Sequence, residues 1–321
     1  MLSIVIPHYH EHPQLLFTLQ SIVNELLYNE IEYQIILIDN SRFPQNEDNE
    51  NWELDSTLYV QHKKYSGMLP NVDLYKYTDT LSHWQAKNVG IDHAYGEILL
   101  FLDAHVVIYP GIIKGMLEVF NKLPEYSSLH MPITYMLEDG KKNALIYELV
   151  TDIDNGIVDY RFIKFDSNND YVEVPCMSTC GMMISKRTLL DKFQKWPSLL
   201  GSYSGGEQYI NFVGAVLGIQ KFVLNRGSLF HYAAPRSYNI VHEDVYRNRA
   251  IATFLHGGKE LFHKYLDNIT RLKRGKISPR IVNKIRMELL ENAEMQERRN
   301  FIKENTVIEI IDWTKEWNHN E

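Results

Sequence analysis

The chain has 321 residues, is 45% hydrophobic and carries a formal net charge of −8. This length allows one large core or two modest ones, and the negative charge argues against a surface built mainly to bind phosphate backbones. No apolar run approaches the roughly 18–20 residues that span a bilayer, so we expect no transmembrane segment. The first residues enter a strand without a basic leader, and Cys176 and Cys180 are too few for a disulfide framework. We therefore expect a cytoplasmic protein.

The first third of the chain alternates strand and helix patterns. Strand, helix and strand in this order predict a right-handed parallel unit. The predicted elements are a strand at 3–6 broken by Pro7, a helix at 12–27, a strand at 33–38 ending in Asp39, a loop at 42–56, a short strand at 58–61 and an irregular stretch at 65–80.

Further along the chain, helix patterns become more frequent. The expected elements are a helix at 82–95 closed by Gly96, a strand at 97–102, a helix at 111–122, several strands within 129–175, a short strand at 179–185, helices at 187–195 and 207–217, a strand at 222–224, and helices from 242 onward with a break at 275–279. No internal repeat is present.

The most informative segment is the strand at 97–102 with the three residues that follow it. Asp103 and His105 are two positions apart, so in extended geometry their side chains project to the same side and can converge on one cation. Pro7 and Asp39 also stand at predicted strand ends. In open α/β sheets ligands bind outside the carboxyl ends of the strands, so these residues predict a binding site at one edge.

Three motifs together carry a family resemblance. They are Lys87-Asn88 followed by Ala94-Tyr95-Gly96 and Asp103-Ala104-His105, then Gly205-Gly206-Glu207-Gln208, then Phe230-His231-Tyr232. In this order they resemble the family 2-like nucleotide-sugar glycosyltransferases of the GT-A fold, and are closest to the polypeptide N-acetylgalactosaminyltransferases. The resemblance implies an α/β, Rossmann-like catalytic domain over 1–265, with a mostly parallel central sheet flanked by helices. A C-terminal helical extension over 266–321 would follow.

The same resemblance implies a set of site residues. Asp103, His105 and His231 would bind Mn²⁺ (or Mg²⁺), and the ligand types do not exclude Zn²⁺. The donor would be a UDP-sugar, bound by residues at the strand ends and by backbone around the sugar. The implied donor-binding residues are Pro7, Tyr9, Asp39, Lys87, Gly181 and Arg236. Arg236 lies two positions beyond Ala234, the place where the family usually has its Arg.

The implied reaction is metal-dependent transfer of a hexosyl or N-acetylhexosaminyl group to a hydroxyl, with retention of configuration. Asp103 and Glu207 would be the catalytic residues, and 232–244 would be a mobile lid. The acceptor is open among a glycan, a lipid-linked saccharide, a peptide and a modified nucleic acid base. The segment 270–303 has ten Lys/Arg and four Glu, a charge of +6, which indicates either a solvated helical face or contact with an anionic acceptor or membrane surface.

Several alternatives stay open at this stage. The chain could be a catalytically inactive sugar-nucleotide-binding protein, or a nucleotidyltransferase, although no Gly-rich phosphate loop follows the first strand. Asp39 could simply close a turn, His231 could be a core histidine, and Lys87 could be merely exposed. The histidines at alternate positions could bind Zn²⁺ on their own, as could the Cys pair; these are His8, His10, His12, Cys176 and Cys180.

Overall fold

The computed structural model describes residues 1–11, 14–41, 67–136, 142–232, 240–272 and 277–318. Several predictions therefore lie outside the described residues. They are the loop at 42–56, the strand at 58–61, Arg236, His12 and most of the expected lid.

The predicted N-terminal parallel unit is confirmed. It consists of strand β1 (Leu2–His8), helix α1 (Gln14–Tyr28) and strand β2 (Tyr33–Asp39), with β1 and β2 parallel. The prediction that Pro7 breaks the strand is wrong, because β1 continues through it in register with Ile38. On the other side of β1 the pairing with the next strand ends at Val5, so the missing N–H of Pro7 interrupts no ladder there.

The next segment also follows the expected order, with two corrections. Strand β3 (Val72–Lys76) pairs in parallel with β2 where we predicted an irregular stretch. Helix α2 (His83–His93) is capped by Ser82 and ends before Gly96, so Gly96 does not close the helix. A Cβ at Gly96 would lie 2.7 Å from the backbone nitrogen of Ser3, so glycine permits close chain packing here.

Ten further strands complete two sheets. They are β4 (Ile98–Phe101), β5 (Val106–Ile108), β6 (Ser127–His130), β7 (Ile133–Met136), β8 (Lys142–Asp152), β9 (Ile157–Lys164), β10 (Tyr171–Glu173), β11 (Met182–Ser185), β12 (Gln220–Leu224) and β13 (Leu229–His231). The central sheet has the order β10-β12-β6-β11-β4-β1-β2-β3, and its β4-β1-β2-β3 part is all parallel. The second sheet, β5-β13-β7-β8-β9, is mostly antiparallel and was not predicted as a sheet.

The remaining helices lie mostly in the C-terminal part. They are α3 (Ile112–Phe120), α4 (Lys186–Thr188) with a π-helical turn at Leu189–Phe193, α5 (Gly206–Gln208) with a π-helical turn at Tyr209–Val213, α6 (Gly214–Val216), α7 (His242–Leu272), α8 (Pro279–Glu291), α9 (Ala293–Asn305) and α10 (Ile310–Asn318). Gly258 interrupts α7 with a non-helical backbone. Among the described residues, no helix combines the length and apolar character needed to cross a membrane.

Hydrophobic layers cover both faces of the central sheet. Ile4 and Ile6 pack with the apolar face of α1, whereas Val5 lies in a second cluster with Trp84 and Phe101. Buried side chains of α8, α9 and α10 belong to this second cluster. The predicted domain boundary after residue 265 lies within α7, so a separate C-terminal unit stays a prediction that truncation would test.

Candidate active site

Three elements hold the segment after β4 in place. Asp103 and His105 follow the end of β4, and the buried Thr18 of α1 fixes the turn between them and β5. The Thr18 hydroxyl donates to the carbonyl of Ala104 at 2.9 Å and accepts from the N–H of Val106 at 3.0 Å. Because β13 pairs with β5 so that His231 stands opposite Val106, the chain returns to the same edge more than 120 residues later.

This pairing brings the three candidate metal ligands together. His231 Nε2 lies 3.2 Å from His105 Nε2 and 3.4 Å from Asp103 Oδ2, and one ligand atom from each residue lies within 4.8 Å of the others. At metal–ligand distances of about 2.1 Å, ligand atoms around one ion are separated by roughly 3.0–3.5 Å. The cluster therefore has the spacing and the carboxylate–imidazole chemistry of a site for a divalent transition metal.

The tautomer of His105 also suits a cation. Its Nδ1 makes a short contact with an oxygen of Glu11, which assigns the N–H to Nδ1 and leaves the Nε2 lone pair facing His231. Sequence reasoning gave Glu11 no role beside the cation. The available signal was its position three residues beyond the end of β1, at the same sheet edge as Asp103.

A positive charge and a hydrogen-bond donor lie beside the Asp103 carboxylate. Burial opposes its ionisation, but the hydrogen bond from His231 and the charge of Lys87 hold the pKa of Asp103 well below its ordinary value. Lys87 is 1% exposed, so the alternative that it is merely a surface residue is wrong. Its ammonium group donates to Thr179 Oγ1 at 3.3 Å and lies 4.8 Å from the centre of the Trp84 ring.

Glu207 occupies a second polar site, built by a different set of contacts. Its carboxylate accepts hydrogen bonds from the hydroxyls of Tyr147 and Tyr160, from the Ser178 hydroxyl at 2.9 Å and from the Thr179 N–H at 3.2 Å. The two tyrosine rings stack with centroids 4.1 Å apart. Burial and then the neighbouring carboxylate raise the pKa of both tyrosines well above the ordinary value, so both hydroxyls are donors.

One aromatic side chain links the two sites. Tyr135 of β7 contacts the His231 ring with centroids 5.0 Å apart and the Phe162 ring with centroids 5.8 Å apart. Phe162 in turn packs edge-on against Tyr147. The second sheet therefore presents a continuous aromatic face from the cation cluster to the residues that hold Glu207.

The expected base-binding residues lie at the ends of β1 and β2. Asp39 is 1% exposed, and its carboxylate accepts from the Ser41 N–H at 2.8 Å, so it does close a turn. Tyr9 is half-buried and packs edge-on against His10. Asn40, which the sequence analysis did not single out, donates to the carbonyls of Tyr77 and Thr80 and thereby positions the chain before α2.

A family comparison decides what this fold and site belong to. The model of the family described as Glycosyl transferase family 2 matches residues 3–191, more than half of the chain, including Asp103 and His105. The chain belongs to glycosyl transferase family 2. Its fold is therefore the GT-A fold, as the sequence motifs implied. A search of curated proteins found no match.

Solved structures share the fold of this family member at low sequence identity. A structure of GalNAc-T7 with UDP, GalNAc and Mn²⁺ is similar with a TM-score of 0.67 and 14% identity, over 95% of this chain and 55% of that one. A structure of Staphylococcus aureus TarS 1-349 with UDP-GlcNAc is similar with a TM-score of 0.54 and 15% identity, over 95% and 81% of the two chains. The chain thus spans about half the length of GalNAc-T7.

Three glycines beside the candidate site pack against or bond to other parts of the chain. A Cβ at Gly205 would lie 2.4 Å from the backbone of Asn248, and a Cβ at Gly206 would lie 2.3 Å from the Trp84 indole, so glycine permits close packing at both positions. The N–H of Gly181 donates to the carbonyl of Phe101, and its own carbonyl accepts from the N–H of Met131. The role of Gly181 in binding the donor stays a prediction.

The other expected metal sites do not form in the described part of the chain. There, the cluster of Asp103, His105 and His231 is the only group of three potential ligands that meet. His8 is buried beside Asp39, while Cys176 and Cys180 are free and buried. Burial raises the pKa of both thiols, which is the opposite of what a metal-binding thiolate requires.

Three basic side chains of the C-terminal segment are held in ion pairs. Lys284 pairs with Glu243, Arg286 with Asp267 and Arg298 with Glu294. The guanidinium of Arg299 donates instead to the carbonyl of Leu255. These four side chains therefore serve the packing of α8 and α9.

Proposed function

We propose that this glycosyltransferase transfers a hexosyl or N-acetylhexosaminyl group from a UDP-sugar to an acceptor hydroxyl, with Mn²⁺ (or Mg²⁺) bound by Asp103, His105 and His231. The observation that carries the proposal is the convergence of these three ligands at the carboxyl edge of the parallel strands. The printed ligands of the similar structures, UDP with Mn²⁺ and UDP-GlcNAc, support the choice of donor and cation.

A bound divalent cation would neutralise the charge that develops on the diphosphate leaving group. The residues of the chain prepare this position in two ways. Asp103 is held ionised by its neighbours, and the buried ammonium group of Lys87 adds a positive charge beside it. We assign Lys87 a supporting electrostatic role, because its amine donates to Thr179 in the described structure.

The donor nucleotide would lie over the ends of β1 and β2. We propose that Tyr9 packs on the uracil ring, that Pro7 shapes the floor and that Asp39 accepts from the uracil imide N–H. This last contact would discriminate against cytosine, which lacks that donor. Arg236 is proposed to contact the diphosphate from the segment outside the described residues.

Glu207 is proposed to position the reacting groups rather than to remove a proton. Its carboxylate already accepts from four donors on Tyr147, Tyr160, Ser178 and Thr179, so accepting a proton would weaken these bonds. A retaining reaction, in which the diphosphate oxygen takes the acceptor proton, needs no separate base. This supports retention.

The acceptor is proposed to be a glycan, a lipid-linked saccharide or a peptide. The fourth expectation, a modified nucleic acid base, is less well supported because Lys284, Arg286 and Arg298 of the segment that favoured it are held in ion pairs. Phosphate-backbone binding requires free cationic side chains.

The test is a screen of UDP-Glc, UDP-Gal, UDP-GlcNAc and UDP-GalNAc for hydrolysis with Mn²⁺ or with EDTA. We expect one donor to be hydrolysed only with metal, and the released anomer, followed by proton NMR, to keep the donor configuration. Turnover that is unchanged in EDTA would contradict the metal assignment. Tight UDP binding without turnover of any donor would favour the inactive nucleotide-binding alternative.

A further inference from the structure

The Glu11 side chain connects two parts of the candidate site. One carboxylate oxygen contacts His105 Nδ1, and the other accepts from the backbone N–H of Tyr9 at 3.2 Å. Glu11 and His105 are both about one quarter exposed, with side chains 25% accessible. The carboxylate therefore lies between the cation cluster and the loop that is proposed to bind the nucleotide.

The contact with His105 fixes a property that a metal ligand requires. A neutral imidazole has one N–H and one lone pair, and the carboxylate holds the N–H at Nδ1. The Nε2 lone pair then faces His231 Nε2, 3.2 Å away, so His105 itself needs no proton rearrangement before a cation binds. A carboxylate hydrogen-bonded to a ligating histidine also increases the basicity of that ligand.

A purely structural role does not account for the contacts of the Glu11 side chain. The start of α1 uses the Glu11 carbonyl, which accepts from the N–H of Leu15 at 2.8 Å, and any residue supplies that carbonyl. The side chain itself makes its described contacts with Tyr9 and His105, both of which belong to the candidate site.

We propose that Glu11 is a positioning residue that orients His105 for the divalent cation and couples cation binding to nucleotide binding through the Tyr9 loop. The inference rests on the proposed function, since it requires a cation at Asp103, His105 and His231. It adds a residue that acts through a ligand, and it predicts that the cation and UDP strengthen each other's binding.

The test measures Mn²⁺ binding to the full chain by calorimetry and by the EPR signal of free Mn²⁺, without substrate. We expect Glu11→Ala to weaken Mn²⁺ binding about 10–100-fold. Glu11→Gln keeps an acceptor for Nδ1–H but lacks the charge, so its loss should be smaller. Glu32→Ala, at an 81% exposed side chain, is the matched control and should bind Mn²⁺ like the wild type.

A double-mutant cycle separates positioning from general damage. In a His105→Ala background, Glu11→Ala should have no further effect on Mn²⁺ affinity, because its route through the imidazole is gone. The factor by which Mn²⁺ tightens UDP binding should also fall in Glu11→Ala. Thermal unfolding of each variant verifies that it is folded.

The outcomes distinguish a failure of the proposed metal site from a failure of the proposed role of Glu11. If the wild-type chain binds no Mn²⁺, the proposed metal site fails. If the wild type binds Mn²⁺ and folded Glu11→Ala binds it equally well, the metal site stands and the role of Glu11 is wrong. Additive losses in the double-mutant cycle would likewise overturn the positioning role.

Discussion

The cation cluster and the Glu207 site lie at the same end of the molecule but are built in opposite ways. At the cation cluster, Asp103 and the two Nε2 atoms of His105 and His231 face one another, and two imidazole nitrogens 3.2 Å apart have at most one proton between them when neutral. At the other site, the Glu207 carboxylate accepts from three hydroxyls and one backbone N–H.

The balance of hydrogen-bond donors and acceptors suits the two sites to different tasks. Acceptor atoms that converge without enough donors of their own are stabilised by an added cation. A carboxylate that accepts from several donors is held in one orientation. The first arrangement suits ligand binding, and the second suits a fixed side chain that positions other groups.

Removing the carboxylate of the cation cluster should have the largest effect. Asp103→Asn keeps the shape of the side chain but removes its negative charge. We expect UDP-sugar hydrolysis to fall more than about 100-fold, because a cation ligand is lost. Asp92→Asn, at a 56% exposed carboxylate paired with Lys195, is the control. Activity of Asp103→Asn within a few-fold of wild type at saturating Mn²⁺ would contradict the role of Asp103 as a cation ligand.

A substitution in the backbone segment before Glu207 should have the next largest effect, which we expect on the free energy of unfolding. Gly205 has φ of +79°, and an added Cβ would contact Asn248. We expect Gly205→Ala to lower the free energy of unfolding by about 1–2 kcal/mol from backbone strain and about 1–3 kcal/mol more from overpacking. Gly111→Ala has φ of +85° with open space around it, so urea unfolding should show only the strain. Equal losses in the two variants would exclude the steric contribution.

Deleting one donor to Glu207 should have a smaller effect. Tyr160→Phe keeps the stacked ring but removes a hydrogen bond to a charged acceptor, which costs about 1.5–3 kcal/mol. We expect urea unfolding at pH 7 to show this loss of unfolding free energy. Tyr28→Phe, at an 88% exposed residue, should leave unfolding unchanged. An unfolding free energy of Tyr160→Phe equal to that of the wild type would show that this hydrogen bond to Glu207 does not stabilise the fold.

A histidine outside both sites gives the smallest expected effect at neutral pH. Burial, and then Arg299, lower the pKa of His256 to about 3, and neither ring nitrogen has a hydrogen-bond partner in the described residues. The unfolded chain therefore binds the extra proton below about pH 6.5, and stability falls as the pH decreases toward 3. At pH 5 this protonation lowers the free energy of unfolding by about 2 kcal/mol.

His256→Leu should remove that pH dependence while changing stability little at pH 7.5. Urea unfolding of both proteins at pH 7.5 and pH 5 measures it. An unchanged difference between the two pH values would mean that His256 does not stay neutral in the folded chain. The result would also show how an isolated buried imidazole differs from the two that face each other beside Asp103.

Local patterns were enough to predict most elements of the parallel half. The continuous buried run of β1 and the apolar face of α1 are clear local patterns, so their positions were predicted within a few residues. The edge strand β3 was missed because its sequence, Val-Asp-Leu-Tyr-Lys, is only partly buried. The prediction for Pro7 was wrong because the effect of a proline depends on whether a neighbouring strand requires its N–H. The pairing of β1 with β4 ends at Val5, before Pro7.

The candidate ligands and the family could be predicted from the amino-acid sequence, because residue types at fixed spacing along a strand end are a local property. Asp103 and His105 needed only the two-residue period of an extended chain. The groups that reach them from distant parts of the chain depend on the tertiary structure. Pairing of β13 with β5 brings His231 to the cluster, the loop after β1 brings Glu11 to His105, and a second sheet brings two tyrosines to Glu207. Such contacts depend on strand order and register across the whole chain, which no local spacing encodes.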